Sequence, residues 1–317
     1  MTVTLEQCAS LLKQADHILI LSHQYPDGDT LGAASGLCRA LQKMGKRARC
    51  ECADEVGPRY RSLYSGVKPD QFEPEFIMSV DVADSKLLGR LEAIYAGKIR
   101  LAIDHHSSHV YFSDNTYVDS TAAATCEILP ALLDLLGVEI DAAIANSLYT
   151  GITTDTGCFR YPNATPATYR IAASLMEKGA DAAEINRIMF DTKSRARIEM
   201  ERSVMDTMEF FDGGRIAVIE ISCDTVEKTG ALDSDLDGLS AIPRQVEGVL
   251  VGVTFRQRKD GGYKVSLRTQ PPIDAAAICA HFGGGGHRGA AGCAFTIPLE
   301  EAKKQLLQVI ESELKIQ

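Results

Sequence analysis

His17-Ile18-Leu19-Ile20-Leu21-Ser22-His23-Gln24-Tyr25-Pro26-Asp27-Gly28-Asp29-Thr30 is the stretch on which the reading of this chain turns. Its apolar run predicts a buried strand over 17–22, Pro26 and Gly28 predict a turn, and the periodicity that follows predicts a helix over 30–44. Strand, turn and helix in that order make the first half of a βαβ unit. Working outward, the stretches at 47–52, 76–80 and 99–103 read as further strands. Helices are expected at 121–136, 166–178 and 182–190, with Thr near the N-cap position of those at 30–44 and 166–178. The alternation gives an α/β domain with a largely parallel sheet over residues 1–191.

Charged and apolar residues interleave from 192 to 211 (Arg195, Arg197, Glu199, Glu201, Arg202), and this reads as a connecting helix. Behind Asp212-Gly213-Gly214 the pattern changes. Strands are expected at 215–222, 248–258 and 263–269, the last two joined by the hairpin signal Lys259-Asp260-Gly261-Gly262. A helix at 273–281, a glycine run, a strand at 293–297 and a terminal helix complete a smaller α/β domain with a mixed sheet over 212–317.

Composition bounds the function. A chain of 317 residues has room for about two domains. Its 33 basic against 43 acidic residues give a net charge of −10, which excludes broad electrostatic coating of long nucleic acid or of an anionic membrane. Nine cysteines, an odd number without a CxxC pair, fit reduced thiols in the cytoplasm. No apolar run approaches the roughly 18 residues of a membrane span.

Chemistry-bearing residues gather past strand ends or in loops, where open α/β sheets bind ligands. His23, Asp27 and Asp29 follow the first strand; Asp81 follows the strand at 76–80; Asp104-His105-His106 follow the strand at 99–103; Asp155 lies in Gly151-Ile152-Thr153-Thr154-Asp155-Thr156-Gly157. Any one such Asp is usually a helix cap or a solvated loop residue, but four clusters in this order are not explained that way. Imidazole and carboxylate donors without thiolate suit manganese, iron(II), cobalt or zinc, and the oxygen-rich balance favours manganese. The donors exceed what one ion needs. Two divalent ions about 3.5–4 Å apart, sharing a carboxylate, would activate water and neutralise a phosphoryl group, which is phosphoester hydrolysis. A nucleophile triad is a weaker explanation, because no GxSxG elbow is present.

With these residues in view, the chain resembles the DHH phosphoesterases, whose signature stands here as Asp104-His105-His106. His23-Gln24-Tyr25-Pro26-Asp27-Gly28-Asp29 resembles the family's first motif, Val80-Asp81-Val82 its second, and Thr154-Asp155-Thr156-Gly157-Cys158-Phe159-Arg160-Tyr161 its fourth. Phe282-Gly283-Gly284-Gly285-Gly286-His287 is similar to the GGGH motif of the DHH-associated substrate-binding domain. The short two-domain form is most similar to the nanoRNase/pAp phosphatase subgroup. That resemblance implies hydrolysis of very short RNA or DNA oligonucleotides to mononucleotides and removal of the 3′-phosphate from the bisphosphate 3′-phosphoadenosine 5′-phosphate. It further implies one manganese on His23, Asp27 and Asp81 and a second on Asp29, Asp81, His105 and Asp155. Asp104 would orient ligands, and His106 would donate to the scissile phosphate or the leaving oxygen.

In the second domain the resemblance gives Arg268 and His287 to substrate phosphates. The successive amides of 283–286, including Gly284, Gly285 and Gly286, are expected to form an anion-binding nest. Gly284-x-Gly286-x-x-Gly289 also matches a dinucleotide fingerprint, yet it follows an expected helix and leads into a strand, the wrong context. Two alternatives stay open: a phosphodiesterase for cyclic or linear dinucleotides, and a non-catalytic nucleotide sensor, against which the intact ligand set counts. If the two domains close on the substrate end, short substrates are expected to win over long strands. The connecting helix and open sheet edges leave a homodimer open as the assembly.

Overall fold

The computed structural model describes residues 1–316, and Gln317, the last residue of the expected second domain, lies outside them. The chain forms two compact units, Met1–Thr192 and Lys193–Gln317. The first is built on a five-stranded, all-parallel sheet in the order β2-β1-β3-β4-β5. The strands are β1 (Ile18–Leu21), β2 (Ala48–Glu51), β3 (Phe76–Val80), β4 (Ile99–Asp104) and β5 (Asn115–Val118). Successive residues of β1 face opposite ways and all are buried. Ile18 and Ile20 join Met78, Val80, Leu101 and Ile103 in a core under the helices, while Leu19 and Leu21 pack with Ile77, Leu88, Leu91 and Ile99 on the other face. Burial of each such aliphatic side chain contributes about 1.5–3 kcal/mol, which explains why the central strands β1, β3 and β4 read as largely apolar runs.

The longer helices of this unit are α1 (Leu5–Gln14), α2 (Gly28–Lys43), α3 (Thr125–Leu136), α4 (Ala142–Asp155) and α5 (Pro166–Glu177), and short helical turns, among them Ala182–Asn186 within the expected 182–190, complete it. Four differ from the sequence reading, and α1 is one that it did not expect. α2 begins earlier than expected, because Asp27 rather than Thr30 accepts the amides of Asp29 and Thr30 as its cap. α3 starts at Thr125 instead of 121. α4 and β5 are additional elements, and α4 moves Asp155 from an expected loop to the last turn of a helix.

α2 crosses α4 so closely that their backbones nearly touch. A Cβ on Gly32 would stand 2.4 Å from the Ser147 carbonyl, and one on Gly28 would stand 2.2 Å from Thr154 Oγ1. Gly28, Gly32 and Gly36 recur at four-residue spacing, one face of the helix, and this seam carries Asp29 and Asp155 toward each other.

The second unit has a six-stranded mixed sheet, β10-β11-β9-β8-β7-β6, in which only β7 and β8 run parallel. Its strands are β6 (Glu209–Phe211), β7 (Ile216–Ile221), β8 (Val251–Gln257), β9 (Tyr263–Thr269), β10 (Gly285–His287) and β11 (Ala290–Phe295). α6 (Arg195–Asp206) packs Met200 and Val204 on Ile219 and Ile221 of β7. The expected connecting helix over 192–211 is therefore corrected: it is shorter, its end becomes β6, and its apolar stripe belongs to this unit's core. On the other face, α7 (Ala275–Ala280) and α8 (Leu299–Ile316) cover Val251, Val253, Phe255, Val265 and Leu267.

Candidate active site

Strand order reverses between β1 and β3, and the carboxyl ends of β1, β3 and β4 carry His23, Asp81 and Asp104. His23 Nδ1–H donates to the Gln24 carbonyl at 2.8 Å, which turns Nε2 toward Asp27 Oδ1 and Asp81 Oδ2, each 3.6 Å away. Asp81 follows β3 with φ +60°, a conformation a non-glycine residue holds only when its surroundings enforce it. Its amide donates to Ile103 and its Oδ1 accepts from Thr125 Oγ1 at 3.0 Å. Oδ1 also faces His105 Nε2 at 3.5 Å. The two oxygens of one buried carboxylate thus address two different histidines.

Asp29 is fully buried, and its oxygens accept the amides of Thr125 (2.6 Å) and Cys126 (2.9 Å). A carboxylate from α2 is therefore the cap of α3, whose own preceding residue, Ala124, has no capping side chain. Asp104 Oδ1 accepts the His105 amide at 2.8 Å and His106 Nδ1–H at 2.7 Å.

The electrostatics are extreme. Burial, then the charges of Asp81 and Asp155, push the Asp29 carboxyl well above the carboxylate range. Burial, then Asp81 and Asp27, raise Asp155 to about 8. Burial disfavours a charged His23, but Asp27 and Asp81 outweigh it and hold its pKa at about 11. The Asp104 hydrogen bond lifts His106 to about 9. A pocket that crowds carboxylates this far from their ordinary range is one a divalent cation would relax.

One atom tests that fit. His105 Nδ1–H donates to the Ala122 carbonyl at 3.2 Å, leaving the Nε2 lone pair buried and without a hydrogen-bond partner. It faces oxygens of Asp155, Asp81 and Asp29 at 3.3, 3.5 and 3.9 Å. A lone pair aimed at carboxylates calls for a cation between them. His23, Asp27 and Asp81 each offer a ligand atom within 4.8 Å of the others, as do Asp29, His105 and Asp155, and as do Asp81, His105 and His106. The donors fit divalent metal ions.

Sequence reasoning missed Thr125 and Cys126, whose contacts with Asp29 and Asp81 cross 44 to 97 residues of chain. The four-residue glycine spacing of α2 was the available signal for the helix contact behind them.

In the second unit, Arg268 of β9 is in register with Ala290 of β11, and Ala290 with His287 of β10. Directly paired residues share a face, so Arg268 and His287 lie on one face about 9–10 Å apart. The expected nest is narrowed at its start: Gly283 donates its amide to Ala280 and Gly284 to Cys279, ending α7, and Gly285 and Gly286 enter the edge strand β10. Gly284 is required by close approach, because its Cβ would stand 2.2 Å from the Gly292 carbonyl.

Comparison with known proteins agrees with this layout. The model of the DHH family, N-terminal domain, matches residues 17–152, and that of the DHHA1 domain matches residues 214–316. The bifunctional oligoribonuclease and PAP phosphatase NrnA of Thermus thermophilus is 35% identical over 315 residues, covering 96% of this chain and 93% of that protein. The protein of the same name from Bacillus subtilis is 25% identical over 283 residues, covering 87% and 88%. Among solved structures, an exopolyphosphatase-related protein from Bacteroides fragilis superposes with a TM-score of 0.87 at 26% identity, covering 97% of this chain and 95% of that one. No helix among the described residues is long and apolar enough to cross a membrane.

Proposed function

Because the chain belongs to the DHH family of phosphoesterases and carries a DHHA1 domain behind its DHH domain, we propose that it hydrolyses very short oligoribonucleotides to mononucleotides and removes the 3′-phosphate of 3′-phosphoadenosine 5′-phosphate. The observation that carries this reading is Asp81, whose two oxygens face His23 and His105, a bridging disposition between two donor sets. We assign His23, Asp27 and Asp81 to one ion and Asp29, Asp81, His105 and Asp155 to the other, with manganese favoured by the oxygen-rich donors. Such a pair would supply an activated water and neutralise charge on the phosphoryl group.

The chain's own residues do the rest. Asp104 fixes the His106 ring through Nδ1 and favours its protonated form, so Nε2–H is available to donate to the leaving oxygen at neutral pH. Asp29, clamped by the amides of α3, sets the position of its oxygens before any ligand arrives. Arg268 and His287 serve the substrate's other phosphate groups, Arg268 through its planar fork of donors. Nine free cysteines support a reducing, cytoplasmic setting.

The test is divalent-metal-dependent turnover of four substrates side by side: an RNA dinucleotide, a long RNA strand, 3′-phosphoadenosine 5′-phosphate and cyclic di-AMP. Fast cleavage of the dinucleotide and the bisphosphate is expected. Preference for cyclic di-AMP would reassign the substrate, and bound metal without turnover of any of them would overturn the reading in favour of a sensor.

A further inference from the structure

Four tyrosines of the first unit are exposed, Tyr25, Tyr111, Tyr161 and Tyr169. Three of the rings are engaged by their own chain. Tyr111 packs edge-on to His109 at 5.2 Å, Tyr161 covers Gly157, and Tyr169 lies on Phe159 at 5.1 Å. Tyr25 differs. The residue is 81% exposed, and its side chain makes no hydrogen bond or ring contact with any described residue.

The backbone beneath it is unusual as well. Tyr25 has φ +56°, a conformation that disfavours a bulky side chain and that Gly or Asn would adopt more readily. The segment is pinned there from outside: the Tyr25 amide donates to Asp54 Oδ2 at 2.8 Å, the Gln24 amide to the Leu87 carbonyl at 2.6 Å, and Cys52 Sγ to the His23 carbonyl at 3.2 Å. The loop therefore spends stability to hold an aromatic ring in water. Neither the fold nor the core uses that ring, and strain of this kind with an unused side chain is a mark of a binding role.

Position says what it binds. Tyr25 is two residues from His23 and two from Asp27, so its Cα lies within roughly 7 Å of theirs. A phosphate held by those residues brings its own nucleoside within reach of the phenol ring. We propose that Tyr25 is a stacking platform for the nucleobase of the nucleotide whose phosphate is attacked, with purines held better than pyrimidines because their π-face is larger. This rests on the nucleotide-hydrolase reading above and adds to it the group that recognises the base. Stacking is sequence-tolerant, as every base offers a flat face, and it acts on one nucleotide at a time.

Binding calorimetry with two probes tests this without relying on turnover: adenosine 5′-monophosphate and ribose 5-phosphate, which share the phosphate and differ in the base, each in saturating calcium. The wild type should bind the nucleotide more tightly than the sugar phosphate. Tyr25→Ala should weaken adenosine 5′-monophosphate by about 5- to 100-fold and leave ribose 5-phosphate within twofold. Tyr25→Phe should keep the wild-type preference. Tyr25→Gly should bind like Tyr25→Ala while melting no earlier than the wild type, which separates a lost stack from a damaged loop. Equal weakening of both probes, or unchanged nucleotide affinity in Tyr25→Ala, would overturn the proposal. Failure of the hydrolase reading would register separately, as a wild type that binds nucleotide without turning over any dinucleotide.

Discussion

At the scale of single residues, Asp81 concentrates the chemistry: one carboxylate, strained backbone, and His23, His105, His106 and Thr125 around its two oxygens. Asp81→Asn keeps the shape and Thr125's partner atom but removes the charge. It should lower kcat by about 100-fold or more for every substrate, and activity within tenfold of wild type in a standard turnover assay would overturn the bridging role. Titration makes a second prediction. Asp155, normally near 3.8, is held at about 8, and His23, normally near 6.5, at about 11, so both favour the folded state when protonated. Their stabilising share is complete below the ordinary value and lost as pH rises through the folded one. Chelated protein should therefore show a falling Tm from pH 6.5 to 8, and saturating divalent metal should reduce the fall; a flat profile in chelator would contradict it. The candidate ligands His23, Asp27, Asp29, Asp81 and His105 stood out in the sequence because each lies directly after an apolar strand or in the turn that follows it. Thr125 did not, because its role depends on a carboxylate 96 residues earlier in the chain.

At the scale of elements, β1, β3 and β4 could be read from their apolar runs, since a parallel strand buried on both faces has little polar interruption. α4 escaped for the opposite reason. It is buried through Ile144, Ala145, Ser147, Leu148, Tyr149, Thr150, Gly151, Ile152 and Thr153, so it has no polar face to give a helical period. Its contact with α2 and α3 also sets a prediction. A Cβ on Gly151 would stand 2.3 Å from Cys126 Sγ and 2.7 Å from Asp29 Oδ1. Gly151→Ala should destabilise the protein by about 1–3 kcal/mol by overpacking and weaken metal binding by moving Asp29. Thermal melts with and without metal check both, and an unchanged metal affinity would show that the packing error does not reach the ligand.

At the scale of the whole molecule, net charge and length act together. A chain of charge −10 has little to offer the successive phosphates of a long strand. With about two phosphate contacts, log KM for a dinucleotide should change with log salt by a slope no steeper than about 1.5. A steeper dependence measured across a salt series would reveal a basic track and with it a taste for longer strands. The change of sequence pattern behind Asp212 signalled a second body, but not where it begins. α6 has charged residues along its length, and only the three-dimensional packing of Met200 and Val204 against β7 assigns it to that body.

The seam of Gly28, Gly32 and Gly36 decides how portable this site is. A designer who grafted the loop from His23 to Asp29 onto another scaffold would transfer three donor side chains and lose the arrangement. Asp29 is oriented by the amides of α3 and brought near Asp155 by the backbone approach of α2 and α4. The smallest transplantable piece is the sheet with these three helices, and any blueprint that lengthens a side chain at the seam gives up the centre along with the packing.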